Sequence, residues 1–154
     1  MNLLDKFVLQ HVQVSNLKAS LTTQAKAEGN KEAKVELNLT PRLLRADGGE
    51  QPPSYQVSAV LSCKGGGPGD PGPQFSVRAG IEAIYRQVDG EPVDMAEFSA
   101  NHASLTRQLY PLLQQELRML MMRMGLEQVH LPFDIAPRVG EPDTPSVQVS
   151  GAVH

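Results

Sequence analysis

Cysteine and long apolar runs are scarce or absent in this chain, and each scarcity excludes a class of protein. Cys63 is the single cysteine among 154 residues, so an intrachain disulfide and a cysteine metal cluster are excluded. No stretch approaches the roughly 18 apolar residues of a membrane span. Asp5 and Lys6 interrupt the N-terminal segment before an apolar run reaches the length of a signal peptide. We therefore expect a cytoplasmic protein that does not insert into a membrane.

An excess of basic charge is also missing. The chain has 14 basic and 17 acidic side chains, which gives a formal net charge of −3. It contains no basic run and no pattern that combines aromatic with basic residues, although such features mark nucleic-acid-binding proteins. Nucleic acid is therefore not an expected partner.

The sequence lacks the residue arrangements that mark a metal site or a catalytic site. No HExxH or CxxC motif occurs, and no metal-ligand spacing joins the four histidines His11, His102, His130 and His154. Residues 65–67 are glycines, but Pro68 follows them and no Lys-Ser or Lys-Thr pair completes a phosphate loop. We expect a protein that is not an enzyme and needs no cofactor. An enzymatic function would be favoured only if His102, His130 and a carboxylate converged in one pocket.

Alternating apolar and polar residues are present in four segments, and this alternation predicts strands. The segments are residues 7–21, 35–39, 55–63 and 75–85. In the first segment the alternation breaks near Asn16, which indicates a change of register, and we expect one face of this strand to be buried. Short connections between successive strands predict an antiparallel sheet.

A long amphipathic helix is predicted after the strands, and it ends at Gly125. Its main apolar stripe consists of Leu105, Leu109, Leu112, Leu113, Leu117, Leu120, Met121 and Met124. Tyr110, Met119 and Met122 fall outside this stripe, so the helix has more apolar surface than one contact with its own domain uses. We therefore predict self-association through these three residues. Packing inside the protomer and contact with a second polypeptide are the alternatives for the methionines.

These elements predict an α+β fold in which a four-stranded antiparallel sheet packs with one long C-terminal helix. Residues 1–137 form a single domain in this interpretation. Residues 138–154 contain proline and glycine and show no helical period, so they are predicted to be a flexible tail.

The chain resembles the SecB protein-export chaperone family over residues 7–135. The resemblance rests on FVLQHVQVSNLKAS at the start, on the four strands, and on LYPLLQQELRMLMMRMG followed by VHLPFDI. Its most specific parts are Tyr110-Pro111 at the start of the long helix, Gly125 at its end, and Leu131-Pro132 beyond it. The resemblance implies a homotetramer, built as a dimer of dimers, that holds unfolded or precursor polypeptides without ATP.

The resemblance also suggests which apolar side chains contact clients. The candidates are Leu17, Leu21, Tyr55, Phe75, Tyr110 and Phe133, and packing in the core is the alternative for each of them. The family docks on the translocation ATPase SecA through acidic residues of the sheet. The comparable stretches here, SNLKASL and QFSVRAGI, carry Lys18 and Arg78 and no acid, so the residues do not favour SecA as a partner.

Two further departures from the family pattern concern client binding. Residues 22–32 contain no aromatic residue, and residues 136–154 do not predict the additional helix that the family has after its closing segment. Aromatic residues make up 5% of the chain, although promiscuous apolar binding usually depends on aromatic anchors. The low aromatic content favours an alternative function, a structural adaptor that binds one fixed partner and does not hold unfolded proteins in general.

Overall fold

The computed structural model describes residues 3–21, 33–45, 53–65, 75–126, 129–133 and 135–140. These residues form five strands and three helices in an α+β arrangement. In chain order the elements are α1 (Leu3–Lys6), β1 (Phe7–Leu21), β2 (Ala33–Arg45), β3 (Ser54–Gly65), β4 (Phe75–Gln87), α2 (Met95–Ala100), α3 (His102–Arg123) and β5 (Arg138–Val139). None of the described helices combines the length and the apolar content needed to cross a membrane.

The sheet has the strand order β1-β4-β3-β2-β5. The four long strands are antiparallel to their neighbours, as the sequence predicts. The predicted number of four strands is wrong, because the two-residue strand β5 pairs in parallel with β2. The Gly140 N–H also donates a hydrogen bond to the Leu39 carbonyl at 2.7 Å, so residues 138–140 join the sheet although they were assigned to the tail. Residues 141–154 lie outside the described part of the chain.

Strand β2 extends beyond the predicted residues 35–39 and includes a proline. It continues to Arg45, and Pro41 is paired with Val57 of β3. Proline has no N–H to donate to a second neighbour, so it is tolerated where a strand has only one partner. The pairing of β2 with β5 involves only Asn38 and Leu39, which leaves Pro41 on an edge.

The core lies between one face of the sheet and α3, which packs against β3 and β4. We call this face of the sheet the inner face and the opposite one the outer face. The inner face of β3 and β4 is buried at every second residue, as the alternation predicts. The helix contributes five apolar residues of the predicted stripe: Leu105, Leu109, Leu113, Leu117 and Met121. Burial of each such side chain stabilises the fold by roughly 1.5–3 kcal/mol relative to exposure.

An aromatic cluster closes one end of the core. Phe98 of α2 stacks on Tyr55 with ring centroids 4.2 Å apart, and it makes edge contacts with Phe7 and Tyr85. The Tyr55 hydroxyl donates to the carbonyl of Val93. Burial, with a smaller contribution from nearby carboxylates, raises the pKa of Tyr55. The cluster therefore joins β1, β3 and β4 to α2, and the buried Tyr55 hydroxyl has a hydrogen-bond partner.

Helix α3 ends as the sequence predicts and contains its proline deeper than expected. Met124 is the C-terminal cap and Gly125 follows with a φ of 74°, a conformation that glycine adopts without steric cost. Pro111 lies in the helix interior and not in the first turn. Because proline has no N–H, the carbonyl of Arg107 receives no helical hydrogen bond from residue 111. After the helix, residues 129–133 and 135–137 are in neither a helix nor a strand.

Candidate functional site

Strand β1 places all its larger apolar side chains but one on the inner face of the sheet. Its pairing with β4 has two irregularities, one between Leu9 and His11 and one between Val14 and Asn16. Each bulge adds one residue to β1, so the apolar residues after it face the same side of the sheet as those before it. The seven residues that face inward are Phe7, Leu9, Val12, Val14, Leu17, Ala19 and Leu21, each paired with an inward-facing residue of β4. The second bulge confirms the predicted register break near Asn16.

The core covers only the beginning of this apolar row. Phe7 is buried, whereas Val14, Leu17 and Leu21 are 41%, 47% and 38% exposed. Leu9 and Val12 are partly buried against the core. The prediction that one face of β1 is buried is therefore wrong beyond Val12, because the main sheet contacts of α3 are with β3 and β4. We call the exposed inward-facing residues Val14, Leu17, Ala19 and Leu21 the β1 strip.

The β1 strip lies beside an open edge of the sheet. Within the described residues β1 pairs with β4 alone, so its second edge has no neighbouring strand. An open edge presents a row of backbone N–H and C=O groups that can pair with another extended chain. The edge on the opposite side of the sheet differs, because β5 covers part of β2.

A second apolar feature is a groove of about 700 Å³ between the N-terminal half of α3 and the segment that follows the helix. We call it the α3 groove. Its helix side includes Thr106, Tyr110 and Pro111, and its other side includes Phe133 and Ile135. The Phe133 side chain is 99% exposed. The groove therefore has a solvent-exposed aromatic ring at its margin.

The Tyr110 hydroxyl fixes the position of the segment beyond α3. It donates a hydrogen bond to the carbonyl of Pro132 at 2.5 Å, which ties the helix to the residue just before Phe133. Tyr110 itself is buried. Its ring thus belongs to the wall of the groove, and its hydroxyl is already used within the protomer.

The side of α3 away from the sheet has a further exposed apolar surface. Leu112, Met119 and Met122 are exposed there, and the two methionines line a shallow groove with Pro111 and Arg118. Met119 and Met122 therefore leave apolar surface of the helix uncovered by their own domain. Tyr110, the third residue predicted to lie outside the main stripe, is buried, and Leu112 of that stripe is exposed. Contact of the two methionines with another copy stays a prediction.

The structure separates the six predicted client contacts into two groups. Leu17, Leu21 and Phe133 are exposed, whereas Tyr55, Phe75 and Tyr110 are buried. The latter three are core residues and do not belong to an exposed apolar surface, which corrects their predicted placement. Phe75 is buried although it is paired with exposed Leu21, because its ring lies against the backbone of Gly65, where a Cβ atom would be 2.2 Å from the ring.

Tyr110 and Phe133 meet at the α3 groove, and Leu17 and Leu21 lie together in the β1 strip. Sequence reasoning missed Val14 and Ile135 as site residues. The alternation of β1 contained Val14, but it could not show that the helix leaves this strand uncovered. Nothing in the sequence indicated that Ile135 lines a groove with α3.

Reactive groups are not part of these surfaces. Burial raises the pKa of Cys63 to about 12, so its thiol stays protonated and unreactive at neutral pH. Among the described residues no group of three or more histidine, cysteine or carboxylate side chains is arranged to hold a metal ion. The exposed features are apolar side chains and an open strand edge, which can bind an extended polypeptide.

The comparisons with known proteins identify the fold. No protein-family model matches the chain, and no curated protein matches it. Among solved structures, the chain is similar to the SecB-like chaperone Rv1957 of Mycobacterium tuberculosis, solved in complex with a ChAD peptide from the Rv1956 HigA1 antitoxin. The TM-score is 0.67 at 14% identity, covering 85% of this chain and 93% of that one. The chain therefore has the fold of a SecB-like chaperone.

A second solved structure is a protein of unknown function from Streptococcus agalactiae. It has 15% identity and a TM-score of 0.35, and the match covers 83% of this chain and 98% of that one.

Proposed function

Starting from the SecB-like fold, we propose that this protein is an ATP-independent chaperone that holds unfolded or partly folded polypeptides. The observation that carries the proposal is the β1 strip, where three large apolar side chains are more than a third exposed beside an open strand edge. Apolar surface gains free energy when it is removed from water, so an exposed apolar surface of this kind is a typical binding site.

The open edge and the strip bind a client together. A client segment in extended conformation pairs its backbone with the free edge of β1. Every second client side chain then faces inward and packs against Leu17 and its neighbours in the strip. Backbone hydrogen bonds do not depend on client sequence, and apolar packing depends on it weakly, so many unfolded chains fit the same surface.

The α3 groove gives the client a second contact. Its volume of about 700 Å³ admits several apolar side chains, which pack against Phe133 and Ile135. The carbonyl of Arg107 receives no hydrogen bond from Pro111 and can accept one from the client backbone. An unfolded chain that reaches both surfaces dissociates more slowly than one held by a single contact.

Self-association is the second part of the proposal. In it, exposed Leu112, Met119 and Met122 pack against other copies, and the assembly is a homotetramer arranged as a dimer of dimers. Methionine suits a contact between helices because its flexible side chain fills irregular gaps.

The similar structure supports a polypeptide as the ligand, since it was solved with a peptide from an antitoxin. In our proposal the client is a precursor for export or a dedicated partner such as an antitoxin. The protein acts in the cytoplasm, is not an enzyme, and needs neither ATP nor SecA for holding.

The test is suppression of aggregation of several unrelated, reduced and unfolded proteins in the absence of ATP. The wild-type protein is expected to suppress aggregation of each client. The double variant Leu17→Ser/Leu21→Ser is expected to lose most of this effect, because serine removes the apolar surface of the strip. The control Gln13→Ser/Ser20→Ala changes exposed residues on the outer face of the same strand and should behave as wild type.

A structural adaptor for one fixed partner is the alternative function. The observation that favours it is the scarcity of exposed aromatic anchors, since Tyr55, Phe75 and Tyr110 are buried. An adaptor would ignore unrelated unfolded proteins and bind one partner with a defined stoichiometry. The aggregation assay therefore decides between the two functions, because wild-type protein without effect on any unrelated client contradicts the chaperone proposal.

A further inference from the structure

The outer face of the sheet has a concentration of positive charge at one end. Lys34 of β2 lies directly opposite Lys64 of β3, and Lys18 of β1 lies directly opposite Arg78 of β4. These residues alternate with buried inward-facing neighbours on β2, β3 and β4, so their side chains are on the outer face. We call Lys18, Arg78, Lys64 and Lys34 the cationic band.

The band is continuous across four strands. Arg78 pairs with Ser62, and Lys64 is two residues beyond Ser62 on the same strand, so Arg78 and Lys64 are diagonal neighbours. Diagonal neighbours of this kind are about 7–8 Å apart, and directly opposed pairs are about 5 Å apart. The band thus crosses the sheet from β1 to β2 in a length of roughly 15 Å, with strands about 4.8 Å apart.

Two directly opposed pairs of like charge are unfavourable for the isolated sheet, because each pair repels across the strands. The net charge of the chain is −3, so the band does not follow from a general excess of basic residues. The three lysines are exposed and Arg78 is half-buried. A carboxylate between two neighbouring ammonium groups would interact with both and relieve their repulsion.

Among the described residues of this face, Glu36 is a carboxylate close to the band. It pairs with Ser62 and is only 6% exposed, and its Oε1 accepts a hydrogen bond from Asn38 Nδ2 at 3.1 Å. Its side chain is buried, whereas the side chains of Lys18, Lys34 and Lys64 are exposed to solvent.

We propose that the cationic band is a docking site for an acidic segment of a partner protein. This site is separate from client holding, because the band is on the outer face and the β1 strip is on the inner face. An extended segment advances about 6.6 Å per two residues, so five residues with carboxylates at alternate positions match the length of the band. Chains with Glu or Asp at positions 1, 3 and 5 are therefore the predicted ligands.

A polypeptide fits this surface better than a nucleic acid. Single-stranded nucleic acids are bound by positive grooves that also offer aromatic side chains for base stacking. The outer positions of β1 to β4 in the described residues contain no phenylalanine or tyrosine, and the band is surrounded by serine and asparagine. These side chains can hydrogen-bond the backbone of an extended peptide.

The test uses fluorescence anisotropy with a labelled twelve-residue peptide in which Glu alternates with Ser. The full-length protein is expected to bind it at low salt and more weakly as ionic strength rises, because exposed charge pairs are screened. The double variant Lys18→Gln/Lys64→Gln is expected to bind about fivefold to tenfold more weakly, from two lost exposed charge pairs. The same peptide with Gln in place of Glu should not bind.

The matched control is Arg86→Gln/Arg123→Gln, which changes the net charge equally. Arg86 is exposed on β4 eight residues from Arg78, and Arg123 is exposed at the end of α3. Affinity within about twofold of wild type is expected for the control, because these side chains are too far away to contact the bound segment.

Equal weakening in both double variants, or binding of the Gln peptide, would overturn the proposal, since net charge or non-specific contact would then explain the result. Tighter binding of a single-stranded oligonucleotide than of the Glu peptide would overturn it in favour of a nucleic acid. Thermal unfolding provides a readout of folding, because removing the opposed lysines should leave the melting temperature unchanged or raised. Client capture by Lys18→Gln/Lys64→Gln should equal wild type, so this proposal and the chaperone proposal fail independently.

Discussion

At the scale of residues, the aromatic side chains separate stability from function. Phe98 is fully buried and contacts the rings of Phe7, Tyr55 and Tyr85, whereas Phe133 is 99% exposed at the α3 groove. The sequence predicted Tyr55 as a client contact, but its alternation with polar neighbours shows only which face it is on. Whether that face is covered depends on where α2 and α3 pack, and this is a tertiary feature.

Replacement of Phe98 by alanine is expected to lower the free energy of unfolding by about 3–5 kcal/mol, because it leaves a cavity among three rings. Phe133→Ala is the matched control and is expected to change stability by less than about 0.5 kcal/mol, since the ring makes no contact with the core. Chemical denaturation measures both. Equal effects would show that the aromatic cluster does not hold the core.

Because Cys63 is buried, we expect the free energy of unfolding to depend on pH in the alkaline range. Its pKa is raised by burial to about 12 in the folded state, against roughly 8.5 in the unfolded chain. Below pH 8.5 the thiol is protonated in both states and has no effect. Between pH 8.5 and 12 only the unfolded state ionises, so stability is lost as pH rises, by about 2 kcal/mol at pH 10.

The variant Cys63→Ala removes this contribution, and its free energy of unfolding should fall less between pH 8 and pH 10 than that of wild type. Denaturant titrations at several pH values measure the difference. Tyr85, whose pKa is also raised by burial, is present in both proteins and does not affect the comparison. Parallel pH profiles would contradict burial of the thiol.

At the scale of elements, β1 shows what the sequence could predict and what it could not. Alternation predicted its bounds at residues 7 and 21, and the spacing of Val14 and Leu17 predicted the bulge near Asn16. The same pattern wrongly indicated a buried face. Alternation reports a difference between two faces of a strand, and an exposed binding face gives the same signal as a core face.

Strand β5 is the opposite case. It consists of two residues in a segment rich in proline and glycine, so no local sequence pattern predicted it. The strand exists because the chain after α3 passes along the edge of β2. Long-range pairing of this kind has no signature in a single sequence.

A lysine within the β1 strip is expected to weaken client binding. In the variant Val14→Lys an ammonium group replaces part of the apolar surface of the strip, and a client side chain that packs there would remove this charge from water without giving it a partner. Client binding is expected to fall at least about tenfold, and stability should change by less than about 1 kcal/mol because Val14 is already exposed. Gln13→Lys, one residue away on the outer face, is the control.

Native gel shifts with an unfolded client and thermal unfolding measure these two effects. Equal loss of client binding in both lysine variants would show that charge alone, and not the apolar strip, determines binding. Unfolding of Val14→Lys would show that the strip is part of the core.

At the scale of the whole molecule, the three exposed surfaces have different chemistry. The inner face is apolar at β1, the outer face carries the cationic band, and α3 presents Leu112, Met119 and Met122 to solvent. In our account the first holds clients, the second docks an acidic partner, and the third joins copies of the chain. The sequence resemblance to SecB agrees with the observed fold over most of the chain.

Assembly is tested with Met119→Ser/Met122→Ser. Light scattering is expected to give a mass of about four chains for wild type and a smaller mass for the variant, because serine removes the apolar contact between helices. Arg123→Ser, exposed at the end of the same helix, should keep the wild-type mass. A wild-type monomer would contradict the proposed tetramer and leave the fold and the client surface in place.

Hydrogen exchange at β1, with and without a reduced unfolded client, tests the central claim most directly. Alternate amides of residues 12–21 are bonded to β4, and the others point to the open edge of β1. We predict that the edge-facing amides exchange fast in the free protein and become protected when client binds, whereas the amides of residues 54–65 of β3, which has a partner strand on both sides, are protected in both states. No added protection of the edge-facing amides, or protection of them already present without client, would contradict the proposal that this edge and its strip hold unfolded polypeptides.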